Sequence, residues 1–313
     1  MKNILLFRLG GLGDLLVTFP SIYLLRRKLS PCSISLVCRK EYGMILKETG
    51  IVDELISVDD RRLVPLFAEH LSGGEELVQW FRKFNLLIGW MQTEKALNLK
   101  QSWLASFGKT IRLFVYDTHS QEEISKFFFR KTSEFLKKEE KLSLPFSECI
   151  HLPLSLDQKK EGLKLLGEKA LCDGKKIVVI HPGSGGREKC WPFPNFLTII
   201  RRLNQQNVKG VLVSGMAEEW IKNEIRDAKL PENWVRLQNP LLVKLTGLLY
   251  EASFYLGNDS GITHLAAACG TKGIALFRKD LETAWRPYGR MAVLSGHSLA
   301  EIDIETVWKT LAG

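Results

Sequence analysis

The stretch GNDSGITHLAAACG, residues 257–270, brings together residue types that bind anions. Ser260 is a preferred helix cap, and Gly261 leaves the first helical turn without a side chain, so that an anion can reach the unpaired N–H groups of a helix start. His264 follows one turn later on the same face, where its imidazole could donate to the same anion. The alternative makes His264 a core histidine and Asp259 a helix cap. Glycine early in a helix costs about 1 kcal/mol relative to alanine, and anion access would explain that cost.

A second candidate anion site is HPGSGGREKCWP, residues 181–192, which directly follows an apolar run. Pro182 and the three glycines that follow it predict a loop with exposed backbone N–H groups, of the kind that cradles phosphate. The backbone of Ser184, Gly185 and Gly186 would supply these groups, and Lys189 would add a mobile cation. The sequence fits equally well an ordinary strand-to-helix loop in which Lys189 is solvated.

A third glycine-rich turn is FRLGGLGDLL, residues 7–16. It lacks the third glycine of a dinucleotide-binding fingerprint, since Leu16 stands there, and the second predicted strand ends in basic residues, so NAD is disfavoured. Gly11 and Gly13 would let a ligand approach the backbone. Asp14, at the mouth of the next helix, would repel phosphate. Asp14 is either a helix-start carboxylate near the positive end of the helix dipole or a carboxylate that takes part in the reaction.

These candidate residues lie at the ends of short apolar runs that alternate with helix-length segments. The runs are continuous rather than alternating in polarity, as expected of strands buried on both faces of a parallel sheet. The first half predicts strands over residues 3–8, 33–38, 54–58, 84–90 and 111–116. After a polar region from about residue 121 to 175, the second half predicts strands over residues 176–183, 210–215, 254–259 and 273–277. The pattern predicts two α/β domains and an amphipathic helix in residues 299–313.

The composition limits the partners. A net charge of +9 and a pI near 9.2 favour an acidic partner, but no basic run is interleaved with aromatic residues, so nucleic acid is not expected. No apolar run is long enough to span a bilayer and none resembles a signal peptide, which predicts a cytoplasmic protein. Six cysteines without a C-x-x-C pair argue against a zinc ribbon and a disulfide framework: Cys32, Cys38, Cys149, Cys172, Cys190 and Cys269.

Gly13-Asp14, the loop 181–192 with Lys189, and the motif GNDSG..HLAAA..G together resemble glycosyltransferase family 9, the ADP-heptose:lipopolysaccharide heptosyltransferases. The resemblance implies an α/β protein of the GT-B fold, with two facing Rossmann-like domains on parallel sheets. It implies an acceptor-binding domain over residues 1–160, a donor-binding domain over 161–298, and a terminal helix at about 299–313 that crosses back to the first domain.

The resemblance also implies inverting transfer of a sugar from a nucleotide-sugar donor, expected to be ADP-linked, with no cofactor and no metal. Asp14 is then the expected general base, which takes the proton of the acceptor hydroxyl. Lys189 and the helix start with Ser260 and His264 offset the charge of the departing diphosphate. Asp259 would bind the donor sugar. Glu218 would hold the ribose, although Glu219 is an equal candidate by sequence.

Arg61 and Arg62 follow the third predicted strand at its carboxyl end, where open α/β sheets bind ligands. Paired guanidinium groups suit an anionic saccharide or glycolipid acceptor, such as phosphate and carboxylate groups of a lipopolysaccharide core. Such an acceptor implies contact with the cytoplasmic face of the inner membrane. The alternative is that both arginines pair with Asp59 and Asp60 beside them.

Other classes of function stay open on the sequence. A sugar-nucleotide epimerase of the same fold would need no acceptor, and a non-catalytic nucleotide-sugar binding protein would need no base. An oxidoreductase that uses flavin or NAD is a further alternative, disfavoured by the incomplete dinucleotide fingerprint.

Overall fold

A computed structural model describes residues 2–64, 75–92, 110–117, 120–140, 144–167 and 176–312 of the chain. The chain divides into two compact units, Met1–Cys149 and Ile150–Gly313. Each unit is built on one parallel sheet with helices between the strands, so the expected α/β class is confirmed. The contacts place the division at residue 149, whereas the sequence places it at residue 160.

The sheet of the first unit consists of the five strands that the apolar runs predict: β1 (Lys2–Phe7), β2 (Cys32–Cys38), β3 (Glu54–Ser57), β4 (Leu86–Gln92) and β5 (Thr110–Tyr116). Their order is β3-β2-β1-β4-β5, and every neighbouring pair is parallel. The central strand β1 is fully buried from Ile4 to Leu6, because helices cover both faces of a sheet with crossover connections.

The described helices of the first unit are α1 (Leu12–Leu29), α2 (Lys40–Glu48), α3 (Glu75–Phe81) and α4 (Ile124–Glu140). Helix α1 packs against α4. A core between the sheet and α3 contains Phe7, Val37 and Trp80. This packing holds the turn between β1 and α1 at the carboxyl end of the sheet.

The second unit has a sheet of six parallel strands: β6 (Ile177–His181), β7 (Lys209–Ser214), β8 (Trp234–Gln238), β9 (Phe254–Asn258), β10 (Gly273–Arg278) and β11 (Met291–Gly296). Their order is β11-β10-β9-β6-β7-β8. The four predicted strands are β6, β7, β9 and β10. The sequence did not predict β8 and β11, which are the edge strands and are only partly buried.

The described helices of the second unit are α5 (Leu156–Leu163), α6 (Phe193–Gln205), α7 (Lys222–Asp227), α8 (Leu242–Glu251), α9 (Gly261–Ala268) and α10 (Ile304–Ala312). The terminal helix α10 exists as predicted, but it belongs to this unit. Val307 is fully buried in the core that includes Phe196 of α6, and Trp308 and Leu311 pack against that core. The expected assignment of residues 299–313 to the first domain therefore differs from the structure, because the apolar face of α10 is covered within the second unit.

Each sheet reverses its strand order at one place, between β1 and β4 and between β6 and β9. In open α/β sheets such a reversal opens a crevice at the carboxyl ends of the strands, where ligands bind. The turns after β1, β6 and β9 lie at these reversals, and they are the three glycine-rich turns of the sequence. Among the helices described, none is long and apolar enough to cross a membrane.

Candidate functional sites of the two units

The two anion-binding candidates of the second unit are joined by Asn258, the last residue of β9. Its side chain is completely buried. The amide oxygen accepts the backbone N–H of Trp191 at 3.0 Å, and the amide nitrogen donates to the carbonyl of Pro182 at 2.7 Å. Asn258 thus fastens both ends of the β6–α6 loop to the strand that leads into α9. The sequence offered one signal for this role, an asparagine directly before the DSG motif.

Ser184, Lys189 and Asp259 meet at the place where the two turns converge. The buried hydroxyl of Ser184 donates to the carbonyl oxygen of Asp259. The Lys189 ammonium lies 3.2 Å from the Asp259 carboxylate, and the exposed fractions of the two side chains are 34% and 8%. A Cβ at Gly185 would meet nothing within 4 Å, so the loop is open there, whereas one at Gly186 would contact the Glu188 carboxylate. The structure brings these predicted residues together.

Ser260 caps α9, as predicted. Its hydroxyl accepts the Thr263 N–H at 3.3 Å, and Gly261 is the first helical residue. His264 lies one turn in and is almost completely buried, with its ring centroid 6.3 Å from that of Trp285. This packing agrees with the core-histidine alternative, and the anion contact of His264 stays a prediction.

Glu218 is buried and hydrogen-bonded inside the unit. One carboxylate oxygen lies 2.7 Å from Nε2 of His181, and the other accepts the Gly215 N–H at 2.8 Å. Burial by itself raises the pKa of Glu218, but the charge of His181 and the two hydrogen bonds outweigh it and lower this pKa overall. The burial of Glu218 does not favour a direct ribose contact, because its side chain is only 6% exposed, and this contact stays a prediction. The side chain of Glu219 lies outside the described residues.

In the first unit, Asp14 is held by an arginine that the sequence analysis did not single out. Arg8, at the end of β1, is buried. Its Nη2 donates to the Asp14 carboxylate at 2.9 Å, its Nε to the Asp14 carbonyl at 2.8 Å and its Nη1 to the Trp90 carbonyl at 3.0 Å. Burial lowers the pKa of Arg8, and the charge of Asp14 opposes this effect. A lone arginine ending an apolar strand was the available signal.

The glycines of this turn serve the position of Asp14. The Gly11 N–H donates to the second Asp14 oxygen at 2.9 Å, which caps α1. Gly10 has a φ of +125°, and a Cβ there would lie 2.6 Å from the same oxygen, so only glycine fits. Gly13 lies inside α1 and is partly exposed. The Asp14 side chain remains 26% exposed and can meet a ligand.

Arg61 and Arg62 differ in their surroundings. Arg62 binds Asp60 through Nε at 3.0 Å and Nη2 at 2.7 Å, and its guanidinium lies 4.8 Å from the ring centroid of Trp80. The hydrogen bonds from Arg62 lower the pKa of Asp60 to about 2. The pairing alternative therefore holds for Arg62. Arg61 is exposed at the start of the same short turn.

Over the residues that the structure describes, no group of three or more His, Cys, Asp and Glu side chains is placed to hold a metal ion. The described cysteines are free thiols: Cys32, Cys38, Cys149, Cys190 and Cys269. Cys172 lies outside the described residues.

Comparison with known proteins identifies the family. The sequence model of glycosyltransferase family 9 (heptosyltransferase) matches residues 96–306. The chain belongs to glycosyltransferase family 9. It is 23% identical over 300 residues to lipopolysaccharide heptosyltransferase 3 of Escherichia coli. The aligned stretch covers 88% of this chain and 83% of that protein.

Solved structures support the same fold for this family 9 chain. The glycosyltransferase of family 9 from Veillonella parvula has a TM-score of 0.76 at 18% identity over 99% of this chain and 96% of its own. The ADP-heptose heptosyltransferase II of Escherichia coli has a TM-score of 0.77 at 18% identity over 100% and 98%. The GT-B class is therefore confirmed, and the chain is a glycosyltransferase rather than an epimerase, a binding protein or an oxidoreductase.

We expect Asn258→Ala to destabilise this glycosyltransferase by about 2 kcal/mol or more. The change leaves the Trp191 N–H and the Pro182 carbonyl buried without their partner, and each unsatisfied group costs about 1–3 kcal/mol. Urea unfolding followed by tryptophan fluorescence measures the loss. Asn223→Ala, at an exposed position of α7, is the control and should change stability by less than about 0.5 kcal/mol. Equal stability of the two variants would contradict the fastening role of Asn258.

Proposed function

We propose that this family 9 enzyme transfers a heptose from ADP-heptose to a saccharide of a lipopolysaccharide core, with inversion at the anomeric carbon and without a divalent metal. The observation that carries the proposal is the convergence of Lys189 and Asp259 at the start of α9. The names of its relatives supply the substrates. They include a lipopolysaccharide heptosyltransferase and the heptosyltransferase WaaC of Escherichia coli, solved with ADP and similar to this chain with a TM-score of 0.70.

The second unit binds the donor in this proposal. The diphosphate lies at the start of α9, where the N–H groups of the first turn and of Ser184 to Gly186 donate to its oxygens. Lys189 is half-exposed on a short loop, so its ammonium can turn from Asp259 to the diphosphate. Asp259 then accepts a hydrogen bond from a hydroxyl of the donor sugar.

Transfer forms a bond between the acceptor oxygen and the anomeric carbon while the bond from that carbon to the diphosphate oxygen breaks. The Asp14 carboxylate takes the proton of the attacking hydroxyl. Arg8 and the Gly11 N–H fix this carboxylate in one orientation. Lys189 and the helix start offset the charge that grows on the diphosphate, which stabilises the transition state more than the ground state.

The acceptor is an anionic saccharide or glycolipid, and Arg61 contributes to its binding. The positive net charge of +9 supports an anionic partner. We place the enzyme in the cytoplasm, in peripheral contact with the inner membrane that would carry such an acceptor. Nucleic acid is not a partner in this proposal.

Asp14→Asn should keep donor binding and lose transfer, because the amide cannot accept the proton at neutral pH. General-base help contributes about 10²–10⁴ in rate, so kcat should fall by about that factor. Release of ADP from ADP-heptose in the presence of acceptor measures turnover, and calorimetry measures donor affinity. Glu41→Gln, an exposed carboxylate of α2, is the control. Near-normal turnover by Asp14→Asn would remove Asp14 from the mechanism.

Lys189→Ala should weaken ADP binding by about tenfold or more and lower kcat as well, since a charged hydrogen bond contributes about 1.5–3 kcal/mol. The matched control is Lys229→Ala, an exposed lysine of the same unit. Unchanged ADP affinity and rate would make Lys189 a solvated loop residue.

Transfer by the wild type should not depend on a divalent metal. The same assays are run with and without EDTA, which should leave wild-type activity intact. Activity that is lost in EDTA and returns only with added magnesium or manganese would contradict metal-independent transfer.

The two arginines after β3 give a matched pair of variants. Arg61→Glu should raise the acceptor KM and leave donor affinity unchanged, because Arg61 is the exposed member. Arg62→Glu should mainly lower stability, since it places a second carboxylate beside Asp60. Added salt should raise the wild-type acceptor KM by screening. An acceptor KM unaffected by Arg61→Glu would return Arg61 to the solvated surface.

A further inference from the structure

A hydrogen-bonded chain links the buried side chains of Glu218 and His181 to the half-buried Ser260, and the mechanism above does not use it. His181 Nε2 lies 2.7 Å from the Glu218 carboxylate, and His181 Nδ1 lies 3.2 Å from Ser260 Oγ. His181 ends β6, Glu218 lies in the turn after β7, and Ser260 caps α9. Gly183 makes room for the chain, because a Cβ there would lie 2.0 Å from the Glu218 carboxyl carbon. The chain ends on the hydroxyl at the helix start that binds the diphosphate in our proposal.

The hydrogen bonds around Ser260 depend on the charge of His181. A serine hydroxyl has one hydrogen to donate and two lone pairs to accept with. One lone pair of Ser260 accepts the Thr263 N–H. The Thr263 hydroxyl donates to the Asn258 carbonyl, so its hydrogen is not available to Ser260, but its oxygen lies 3.3 Å from Ser260 Oγ and can accept the Ser260 hydrogen.

The charge of His181 decides whether its Nδ1 competes for the Ser260 hydrogen. Neutral His181 uses its Nε2–H for Glu218, so its Nδ1 is an acceptor that can take this hydrogen. Protonated His181 donates from Nδ1 instead and fills the second lone pair of Ser260. The Ser260 hydrogen is then shared between the Thr263 hydroxyl oxygen and a ligand at the start of α9.

We propose that Glu218 and His181 are positioning residues that turn the Ser260 hydroxyl toward a phosphate oxygen of the donor. Donor binding then takes up a proton from solvent on His181 Nδ1, because the neutral form keeps the Ser260 hydrogen for itself. This inference rests on the proposed function, which places the diphosphate at the start of α9.

The surroundings support a protonated His181 in the complex. One carboxylate oxygen of Glu218 lies 2.7 Å from His181 Nε2, and a carboxylate at that distance favours a positive charge on the imidazole. The donor diphosphate adds further negative charge beside the chain.

Other titratable or charged side chains also face this chain. They are Glu188, Lys189, Cys190, Tyr255 and Asp259. Burial raises the pKa of Cys190 to about 12 and also raises that of Tyr255, so neither accounts for a proton taken up near neutral pH. His264, one turn into α9, is the other histidine of this region, and the experiment must separate it from His181.

Calorimetric titration of ADP-heptose without acceptor, in buffers of different ionisation enthalpy from pH 6 to 9, measures the proton taken up. The wild type should take up a fraction of a proton. His181→Gln should take up none, and Glu218→Gln should take up less. Ser260→Ala should lose the uptake and bind ADP-heptose about tenfold more weakly. His297→Gln, an exposed histidine of the same unit, should match the wild type.

Other results overturn the inference. An uptake that persists in His181→Gln, or that disappears in His264→Gln instead, contradicts it. A wild type that binds ADP-heptose and transfers heptose without uptake at any pH removes the proton coupling and leaves the proposed function intact. Absence of both binding and transfer refutes both proposals. Glu218→Gln keeps the size of the side chain, so the test stands on it and on the wild type if His181→Gln does not fold.

Discussion

The proposed donor site depends on one buried amide. Asn258 has a hydrogen bond to each end of the loop after β6, and it is itself the last residue of the strand that leads into α9. Two turns that are distant in sequence therefore keep a fixed distance from each other. Ser184 adds a further bond from the middle of the loop to the carbonyl of Asp259. Without these bonds, Lys189 would lie on a loop with no defined position relative to the helix start.

In the first unit, a charged side chain rather than an amide fixes the turn that carries the candidate residue. A buried guanidinium is costly unless its donors find partners, and three of the five N–H groups of Arg8 donate to the Asp14 side chain, the Asp14 carbonyl and the Trp90 carbonyl. The same bonds that make burial of Arg8 tolerable fix the Asp14 carboxylate at the end of β1. A proton acceptor gains from this rigidity, because a reacting group must be held close to its productive geometry.

The cations that the sequence or the structure singled out differ in how firmly they are held. Arg8 and Arg62 each make two or more hydrogen bonds, and Arg62 also covers the ring of Trp80. Lys189 has a single contact with Asp259, and Arg61 is exposed, so their charges can turn to a ligand. Net charge alone did not distinguish these cases.

The two carboxylates differ in exposure. Asp14 and Glu218 are both hydrogen-bonded through both oxygens, but the side chain of Asp14 is 26% exposed and that of Glu218 only 6%.

The sequence by itself determined the class of fold and the three turns that carry the candidate sites. Continuous apolar runs predicted nine strands, all of which are present, because strands buried on both faces need such runs. It did not reveal β8 and β11, which are mostly half-exposed, although the edge strands β3 and β5 of the other sheet were predicted. Only the tertiary structure revealed the contacts of Arg8, Asn258 and His181. Several of their partners lie far along the chain, 82 residues away for Trp90 and 76 for Pro182, and crossover connections bring them together. A local sequence pattern depends on a residue's neighbours in sequence, whereas a buried hydrogen bond depends on its neighbours in space.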